Sequence, residues 1–425
     1  MGRFTGVIGI VIILGLAFLW SNNRKKINYR VVVTGMLLQL VLAIFILKVP
    51  LGQKIFFWLG QAINKLLDFS QEGSLFVFGD LTKITQILPE GIVKAGVFLF
   101  ILLPTIIFVC VLVAMAYHVG LMQRIVAVIA RFVHWAMRVS GSEALSNVAS
   151  AFVGQVEAQI MIRPYLSGMT MSELLASMTG SMACIAGGVM AVYISMGVPA
   201  SYLLAASLMA APGALVISKI VYPETQESET KGRVKLEVKT EYTNIMDAIS
   251  HGATDGMKIS INVIAMLIGV IALIALLDAL LGYFGLFLGW TGISLDAIGL
   301  NVDALKLKDV VGAFFRLFAI VMGVPPSESL YVGSLMGTKM VINEFVAYSD
   351  LSPMIQQGVL SAKSIVIASF ALCGFANFSS IAIQIGGIGT LVPQRKADLA
   401  KLGFKAMICG TMASYISAAL AGILL

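Results

Sequence analysis

Charged residues are scarce in this sequence of 425 residues, where Asp, Glu, Lys and Arg together make up only 12%. Soluble domains carry about a quarter of charged residues, so this chain cannot cover a soluble surface of its own size. Hydrophobic residues reach 59%. They fall into runs of about twenty, the helical length that crosses a hydrocarbon core of about 30 Å. The composition therefore predicts a polytopic membrane protein with one helical domain.

Motifs for common catalytic chemistry are missing as well. The sequence has no P-loop, no nucleophile elbow and no HExxH, which argues against ATP hydrolysis and membrane proteolysis. No Asp-rich metal motif supports the rival from another class, a membrane-embedded prenyl- or phosphotransferase. The cysteines lack CxxC spacing and the histidines are scattered, which indicates free thiols and no zinc site. The net charge of +7 is spread between apolar segments, a pattern of membrane topology and not of nucleic-acid binding. These patterns predict no enzyme, no cofactor and no nucleic-acid partner.

The apolar runs predict eight membrane-spanning helices and two helices that lie in the membrane interface. Of the interfacial helices, Lys54–Asp68 is placed on the outer side, and the segment with Arg124, Arg131 and Arg138 at seven-residue spacing on the inner side. Pro104 is expected to kink the third span. The eight predicted spans are Phe4–Trp20, Val31–Lys48, Gly91–His118, Leu174–Met196, Tyr202–Tyr222, Met257–Leu288, Ser364–Leu391 and Leu402–Leu424.

Three stretches are too polar for ordinary spans: Ser142–Ser167, Val310–Ser349 and Ser364–Leu391. The last is counted above as an interrupted span, which leaves two polar stretches, Ser142–Ser167 and Val310–Ser349. Basic clusters lie at 24–30, 231–239 and 395–405, and the positive-inside rule places all three on the cytoplasmic side. Eight spans satisfy that rule only if each polar stretch enters and leaves the membrane on the same side. The sequence therefore predicts two re-entrant hairpins, with both termini outside.

The same order of elements, a hairpin followed by an interrupted span and a second span, occurs twice. We assign the copies to residues 140–222 and 301–425, and interpret them as transport repeats that enter the membrane from opposite sides. Residues 1–139, with three spans and both interfacial helices, and residues 223–300, with a cytoplasmic loop and a long helix, are assigned to a scaffold. Inverted repeats with broken helices are typical of secondary transporters, whose substrate site lies near the bilayer midplane.

Glu157 and Glu344 occupy corresponding places in the two hairpins. Because a charge near the membrane centre is costly, a functional role is the first interpretation, and neutralisation by a nearby Lys or Arg is the alternative. Together with Gln155, Asn377 and Ser380, these carboxylates offer acceptors and amide donors. Such a set suits a neutral polyhydroxylated ligand with a hydrogen-bonding ring.

Two features near the second hairpin have competing interpretations. Glu328 follows Pro325-Pro326 and either caps a helix of the hairpin or has a functional role. Gly333 and Gly337 form a small-xxx-small pattern, which predicts close helix packing.

Four segments resemble signatures of the concentrative nucleoside transporters, a family that includes bacterial nucleoside permeases. They are Phe152–Ala158, Ile185–Val189, Asn343–Tyr348 and Cys373–Ser380, and the likeness covers nearly the whole chain in order. The resemblance implies a homotrimer in the bacterial inner (plasma) membrane, in which each protomer imports nucleosides by symport with a cation. A transporter of the same architecture for another polar solute is the nearest alternative.

The resemblance also implies a substrate site, carried over position by position. The nucleobase would meet Gln155, Val156, Glu157 and Val189, with Phe375 and Ile259 packing against it. The ribose would meet Glu344, Asn377 and Ser380. Family members commonly have threonine where this chain has Val156, so one polar contact to the base is absent.

The ion that drives transport is less closely determined by the resemblance. Sodium-coupled members hold the ion with an asparagine, a serine and backbone carbonyls; the matching positions here are Ser150, Val153, Cys184 and Ile185. A thiol is a poor ligand for a hard cation, which weakens this sodium site. A proton carried by Glu157 or Glu344 is therefore our preferred driver, with sodium as the alternative.

Overall fold

The computed structural model describes residues 2–86, 100, 102–230, 242–291 and 305–425. The basic cluster at 231–239 and the predicted beginning of the third span, 91–99, lie outside the described residues. All regular secondary structure in the described ranges is helical.

Three helices open the chain: α1 (Gly2–Leu19), α2 (Tyr29–Leu47) and α3 (Pro50–Phe78). α1 and α2 coincide with the first two predicted spans. α2 begins where the Asn28 side chain accepts a hydrogen bond from the Arg30 backbone N–H. α3 is longer than the predicted interfacial segment, because the helix continues through its polar residues, including Glu72, to Phe78.

A bend of 74° separates α4 (Leu103–His118) from α5 (Leu121–Met137). Gly120 stands at the bend with a φ of +76°, a left-handed conformation that favours glycine. Pro104 lies in the first turn of α4, where a proline costs no intrahelical hydrogen bond. On α5, Arg124 and Arg131 are exposed, whereas Val126, Ala130, Val133 and Met137 on the opposite face are buried. The predicted amphipathic character of α5 is confirmed.

The first repeat contains a hairpin, a broken helix and a continuous helix. The hairpin comprises α6 (Gly141–Ser150) and the short α7 (Glu157–Ile160), the broken helix comprises α8 (Met171–Ala183) and α9 (Gly187–Ser195), and α10 (Ala200–Val221) follows. α6 and α8 each begin with a capping box, formed by Ser140 with Glu143 and by Thr170 with Glu173.

The second repeat follows the long α11 (Ile245–Trp290) and repeats this order. Its helices are α12 (Leu307–Val321), α13 (Ser329–Val341), α14 (Glu344–Gln356), α15 (Ala362–Leu372), α16 (Phe378–Leu391) and α17 (Lys396–Leu424). The hairpin is α13–α14, so its bounds differ from the predicted Val310–Ser349. Gly323, with a φ of +103°, and the following prolines end α12, which becomes a separate helix packed on α13.

Gly333 and Gly337 provide the close packing between α12 and α13. A Cβ on Gly333 would lie 2.6 Å from the Arg316 backbone nitrogen, and one on Gly337 would lie 2.5 Å from Val311 Cγ1. The predicted helix-packing role is confirmed. Glu328 instead reaches out of the hairpin, because its Oε2 accepts hydrogen bonds from the backbone N–H and the hydroxyl of Ser361, before α15.

Five helical segments in the described ranges are long and apolar enough to cross a membrane: Tyr29–Leu47, Met171–Ser195, Ala200–Val221, Ile271–Trp290 and Pro393–Leu424. The other three predicted spans correspond to shorter pieces. These are Thr5–Leu19, Leu103–His118 and the pair Ala362–Leu372 and Phe378–Leu391. The interruption of the last pair is the second helix break.

Candidate functional site

The two helix breaks contact each other in the interior of the molecule. α8 ends at Ala183 and α15 ends at Leu372. Gly374, in the second break, has a φ of +108°, and a Cβ there would lie 2.5 Å from the Ala183 carbonyl oxygen. The carbonyl ends of α8 and α15, which carry partial negative charge, therefore meet at this point.

Beyond the breaks, a cavity of about 420 Å³ opens between the hairpin tips. The N-terminal ends of α9, α14 and α16 all contribute residues to its wall. Partial positive charge at helix N-termini stabilises carboxylates and other electron-rich groups. All nine predicted substrate residues line this cavity: Gln155, Val156, Glu157, Val189, Ile259, Glu344, Phe375, Asn377 and Ser380.

Glu344 is a buried carboxylate in the wall of the cavity. Its side chain is 5% exposed and lies in the first turn of α14. The Tyr193 hydroxyl donates to Oε1 at 3.0 Å, and the Asn377 side-chain amide donates to Oε2 at 2.9 Å. A carboxylate oxygen can accept two hydrogen bonds, so both oxygens of Glu344 retain acceptor capacity.

Asn377 links this carboxylate to the second broken helix. Its Oδ1 accepts from the Ser380 backbone N–H at 2.9 Å and from the Ser379 hydroxyl at 2.7 Å, so the residue caps α16. The cap fixes the amide orientation and directs Nδ2 to Glu344. Asn343 caps α14 in the same way, since its Oδ1 accepts from the Val346 backbone N–H at 2.9 Å. The two caps therefore fix the position of Glu344 and of its partner Asn377 in the cavity wall.

The tip of the first hairpin is held less tightly. Gln155 Nε2 lies 3.5 Å from the Ser380 hydroxyl, at the limit of a hydrogen bond. Within the described ranges its buried Oε1 has no hydrogen-bond partner. Glu157 is exposed to the cavity, and a Cβ on Gly154 would lie 2.0 Å from its Oε2. This part of the site has acceptors whose hydrogen-bonding capacity the protein does not use.

Comparisons with known proteins identify the family. The family model described as "Na+ dependent nucleoside transporter C-terminus" matches residues 202–422, its N-terminal counterpart matches 8–81, and "Nucleoside recognition" matches 99–200. The chain belongs to the concentrative nucleoside transporter family.

Individual relatives agree with this assignment. The nucleoside permease NupC of Helicobacter pylori is 36% identical, over 98% of this chain and 96% of that protein. Human sodium/nucleoside cotransporter 1 is 38% identical over 98% of this chain, which spans 63% of the human protein. The structure of CNTnw in an inward-facing substrate-bound state superposes with a TM-score of 0.90 at 38% identity, covering 100% of this chain and 98% of that one.

Membership in this transporter family confirms the predicted fold class, an all-α polytopic membrane protein with eight spans, interfacial helices, an inverted repeat and two opposed hairpins. It also confirms that the protein is a transporter and not an enzyme. The assignment of 1–139 and 223–300 to a scaffold, and of 140–222 and 301–425 to transport repeats, remains a prediction.

The apolar lining of the cavity comes from both repeats and from α11. Phe375, Val156 and Val189 face it from the repeats, and Ile259 faces it from α11. Val156 packs against α16, because a Cβ on Gly387 would lie 2.5 Å from Val156 Cγ2. Flat apolar surfaces beside spare acceptors are the combination that a heteroaromatic ring requires.

The four predicted cation ligands lie near the first break. The Ser150 hydroxyl donates to Ser146 O at 2.7 Å, and the Cys184 thiol donates to Ser207 O at 3.6 Å. Val153 lines the cavity, and Ile185 is buried in the break. A cation at this place would depend mainly on backbone carbonyl groups.

Sequence reasoning missed two side chains next to the site. Tyr193, on α9, is fully buried, donates to Glu344 and stacks on Tyr348 with ring centroids 4.3 Å apart. Lys339, on α13, is buried behind the hairpin tip. The position of each residue in the sequence could have indicated its role. Tyr193 belongs to the second half of a broken helix, and Lys339 lies just before the Asn343-Glu344 motif.

Proposed function

We propose that this protein imports nucleosides by symport with a cation, through the cavity between the two hairpin tips. The observation that supports it best is the Glu344 carboxylate, buried beside the cavity and oriented by Tyr193 and Asn377. Membership in the concentrative nucleoside transporter family and similarity to a nucleoside permease support the same substrate class.

The chemistry of the two sides suggests how a nucleoside would be oriented. Ribose hydroxyls would donate to Glu344, with Asn377 and Ser380 as further partners, since adjacent hydroxyls and a carboxylate form paired hydrogen bonds. The base would lie against Val156, Val189, Phe375 and Ile259, with its edge towards Gln155 and Glu157. A free nucleobase would lack the ribose contacts and should compete poorly.

For the driving ion we propose a proton, carried by Glu157. This carboxylate is open to the cavity, whereas Glu344 is buried and accepts hydrogen bonds from Tyr193 and Asn377. The thiol of Cys184 donates to a backbone carbonyl, and a soft sulfur is a poor sodium ligand. Symport then requires only that substrate and proton favour the same conformational state.

Sodium is the second candidate for the driving ion. Two of the matching family models are described as Na+ dependent, and backbone carbonyls near Val153 and Ile185 are hard ligands that suit this ion. We further propose a homotrimer in a bacterial inner membrane with both termini outside, an arrangement that rests on the family resemblance and on the distribution of basic residues.

Uptake of labelled uridine into proteoliposomes tests both the proposed substrate and the proposed driving ion. One arm applies a sodium gradient at constant pH, and the other applies a pH gradient in sodium-free buffer. We expect accumulation with the pH gradient and little with sodium. If only the sodium gradient drives accumulation, the ion is sodium, and Cys184→Ser should raise the apparent sodium affinity. If neither gradient accumulates uridine in liposomes that contain folded protein, the proposed function is wrong.

A further inference from the structure

Lys339 is a buried cation that has no role in the proposed transport cycle. Its side chain is 1% exposed. The ammonium group donates hydrogen bonds to the Ala371 carbonyl at 2.9 Å and to the Cys373 carbonyl at 3.2 Å. Lysine is almost never fully buried unless its charge is compensated, so this position needs a physical reason.

The reason lies in the carbonyl groups at the second break. α15 ends at Leu372, and its last carbonyls carry the partial negative charge of a helix C-terminus. The corresponding end of α8 meets it, because Gly374 lies against the Ala183 carbonyl. Two negative helix ends at one buried point repel each other. A cation bound to these carbonyls removes that repulsion.

The two repeats differ at this position. Lys339 lies in the last turn of α13, whereas the last turn of α6, 147–150, has no charged residue. At the first break, the backbone carbonyl of Phe152 accepts from the Gly187 N–H at 3.0 Å. The second break therefore has a covalently attached cation, and the described residues of the first break provide none.

We propose that Lys339 is a tethered cation, whose ammonium group neutralises the carbonyl groups of the second break and holds the two elements together. Its expected effect on nucleoside binding rests on the proposed function. In this role Lys339 is a positioning residue. It joins hairpin α13–α14 to the broken helix α15–α16, and thereby keeps Asn377 in register with Glu344.

The charge of Lys339 also acts on the carboxylate of Glu344, which is proposed to bind the substrate. The ammonium of Lys339 and the carboxylate of Glu344 interact electrostatically, both inside the buried core. Without this charge, the buried carbonyl groups and the carboxylate would lack a compensating cation. Replacing the tethered charge should therefore change how nucleoside binding depends on free cations.

Uridine binding to purified protein, measured by calorimetry, tests the proposal with Lys339→Met, Lys339→Ala and Lys339→Arg. Loss of a charged hydrogen-bonding group should weaken binding about ten-fold or more in Lys339→Met, and less in Lys339→Arg. Lys339→Ala leaves room for a small cation. Its uridine affinity should therefore rise more steeply with NaCl, against choline chloride at constant ionic strength, than that of the wild type.

Lys219→Met is the matched control, because Lys219 is also a buried lysine but pairs with Glu143 away from the cavity. It should lower the melting temperature without changing the salt dependence of uridine binding. Wild-type affinity in Lys339→Met would overturn the tethered-cation proposal, and so would equal affinity losses in Lys339→Met, Lys339→Arg and Lys219→Met. If Lys339→Met does not fold, a wild-type salt response in Lys339→Ala or Lys339→Gln overturns it. Failure of the wild type itself to bind uridine would contradict the proposed function instead.

Discussion

The two hairpin tips carry the same kind of residue in different surroundings. At the second tip, Glu344 is buried and accepts hydrogen bonds from Tyr193 and Asn377. At the first tip, Glu157 is open to the cavity, and the nearby Gln155 makes one long hydrogen bond within the described ranges, to Ser380. An internal repeat thus has one preorganised acceptor and one adaptable acceptor.

This difference suggests a division of labour. A preorganised group loses little entropy on binding, so Glu344 suits the proposed contact with ribose, which all ribonucleosides share. An acceptor with unused capacity can meet different base edges, and it can exchange a proton with the water of the cavity. Mutations at the two tips should therefore affect different measurements, affinity at the second and coupling at the first.

Glu344→Gln should have the largest effect, because an amide group cannot accept from both Tyr193 and Asn377. Its NH2 group would face a donor, leaving a buried polar group unsatisfied, so uridine affinity should fall by about ten- to a hundred-fold. Glu328→Gln is the matched control, since Glu328 belongs to the same hairpin region but bonds Ser361. Equal affinities for Glu344→Gln and wild type in calorimetry would remove Glu344 from the site.

Tyr193→Phe should have a smaller effect of the same kind. The change removes the hydroxyl that donates to Glu344 and keeps the ring that stacks on Tyr348. Loss of one hydrogen bond to a charged group should weaken uridine binding by roughly ten-fold. Tyr348→Phe is the control, because the Tyr348 hydroxyl donates to Ser369 O and not to the carboxylate. If both variants lose affinity equally, the hydroxyl of Tyr193 has no specific role.

Glu157→Gln should have the smallest effect on affinity and the clearest effect on coupling. The amide retains hydrogen-bonding groups for the base, so we expect a change of only about two- to five-fold in binding. It cannot take up a proton, so uridine accumulation driven by a pH gradient should cease while exchange across the membrane continues. Undiminished accumulation in Glu157→Gln would show that the proton carrier lies elsewhere.

The general architecture could be predicted from the sequence because membrane insertion imposes simple rules. Run length identified the ordinary spans, and basic residues at 24–30 and 395–405 required that 142–167 and 310–349 return to the side they entered. The division between α12 and α13 was missed. Because Arg316 and Glu328 are both polar, the sequence between them was interpreted as one continuous polar stretch. The structure has two helices there, separated at Gly323.

The cavity was predicted more fully than its supporting contacts. Conspicuous residue types in the repeated motifs identified Gln155, Glu344 and Asn377, and all of them line the cavity. The partners of Glu344 and of the second break could not be found in this way. Tyr193 and Lys339 reach their partners through tertiary packing, which leaves no local pattern in the sequence.

Calorimetric titration of the purified wild-type protein with uridine, uracil and ribose measures whether the cavity recognises both halves of a nucleoside. We expect saturable binding of uridine, with one site per chain, and much weaker binding of either half alone. We also expect that Glu344→Gln weakens uridine binding while the weak binding of uracil is unchanged. Uracil bound as tightly as uridine, or no uridine binding by folded protein, would contradict a nucleoside site between the two hairpin tips.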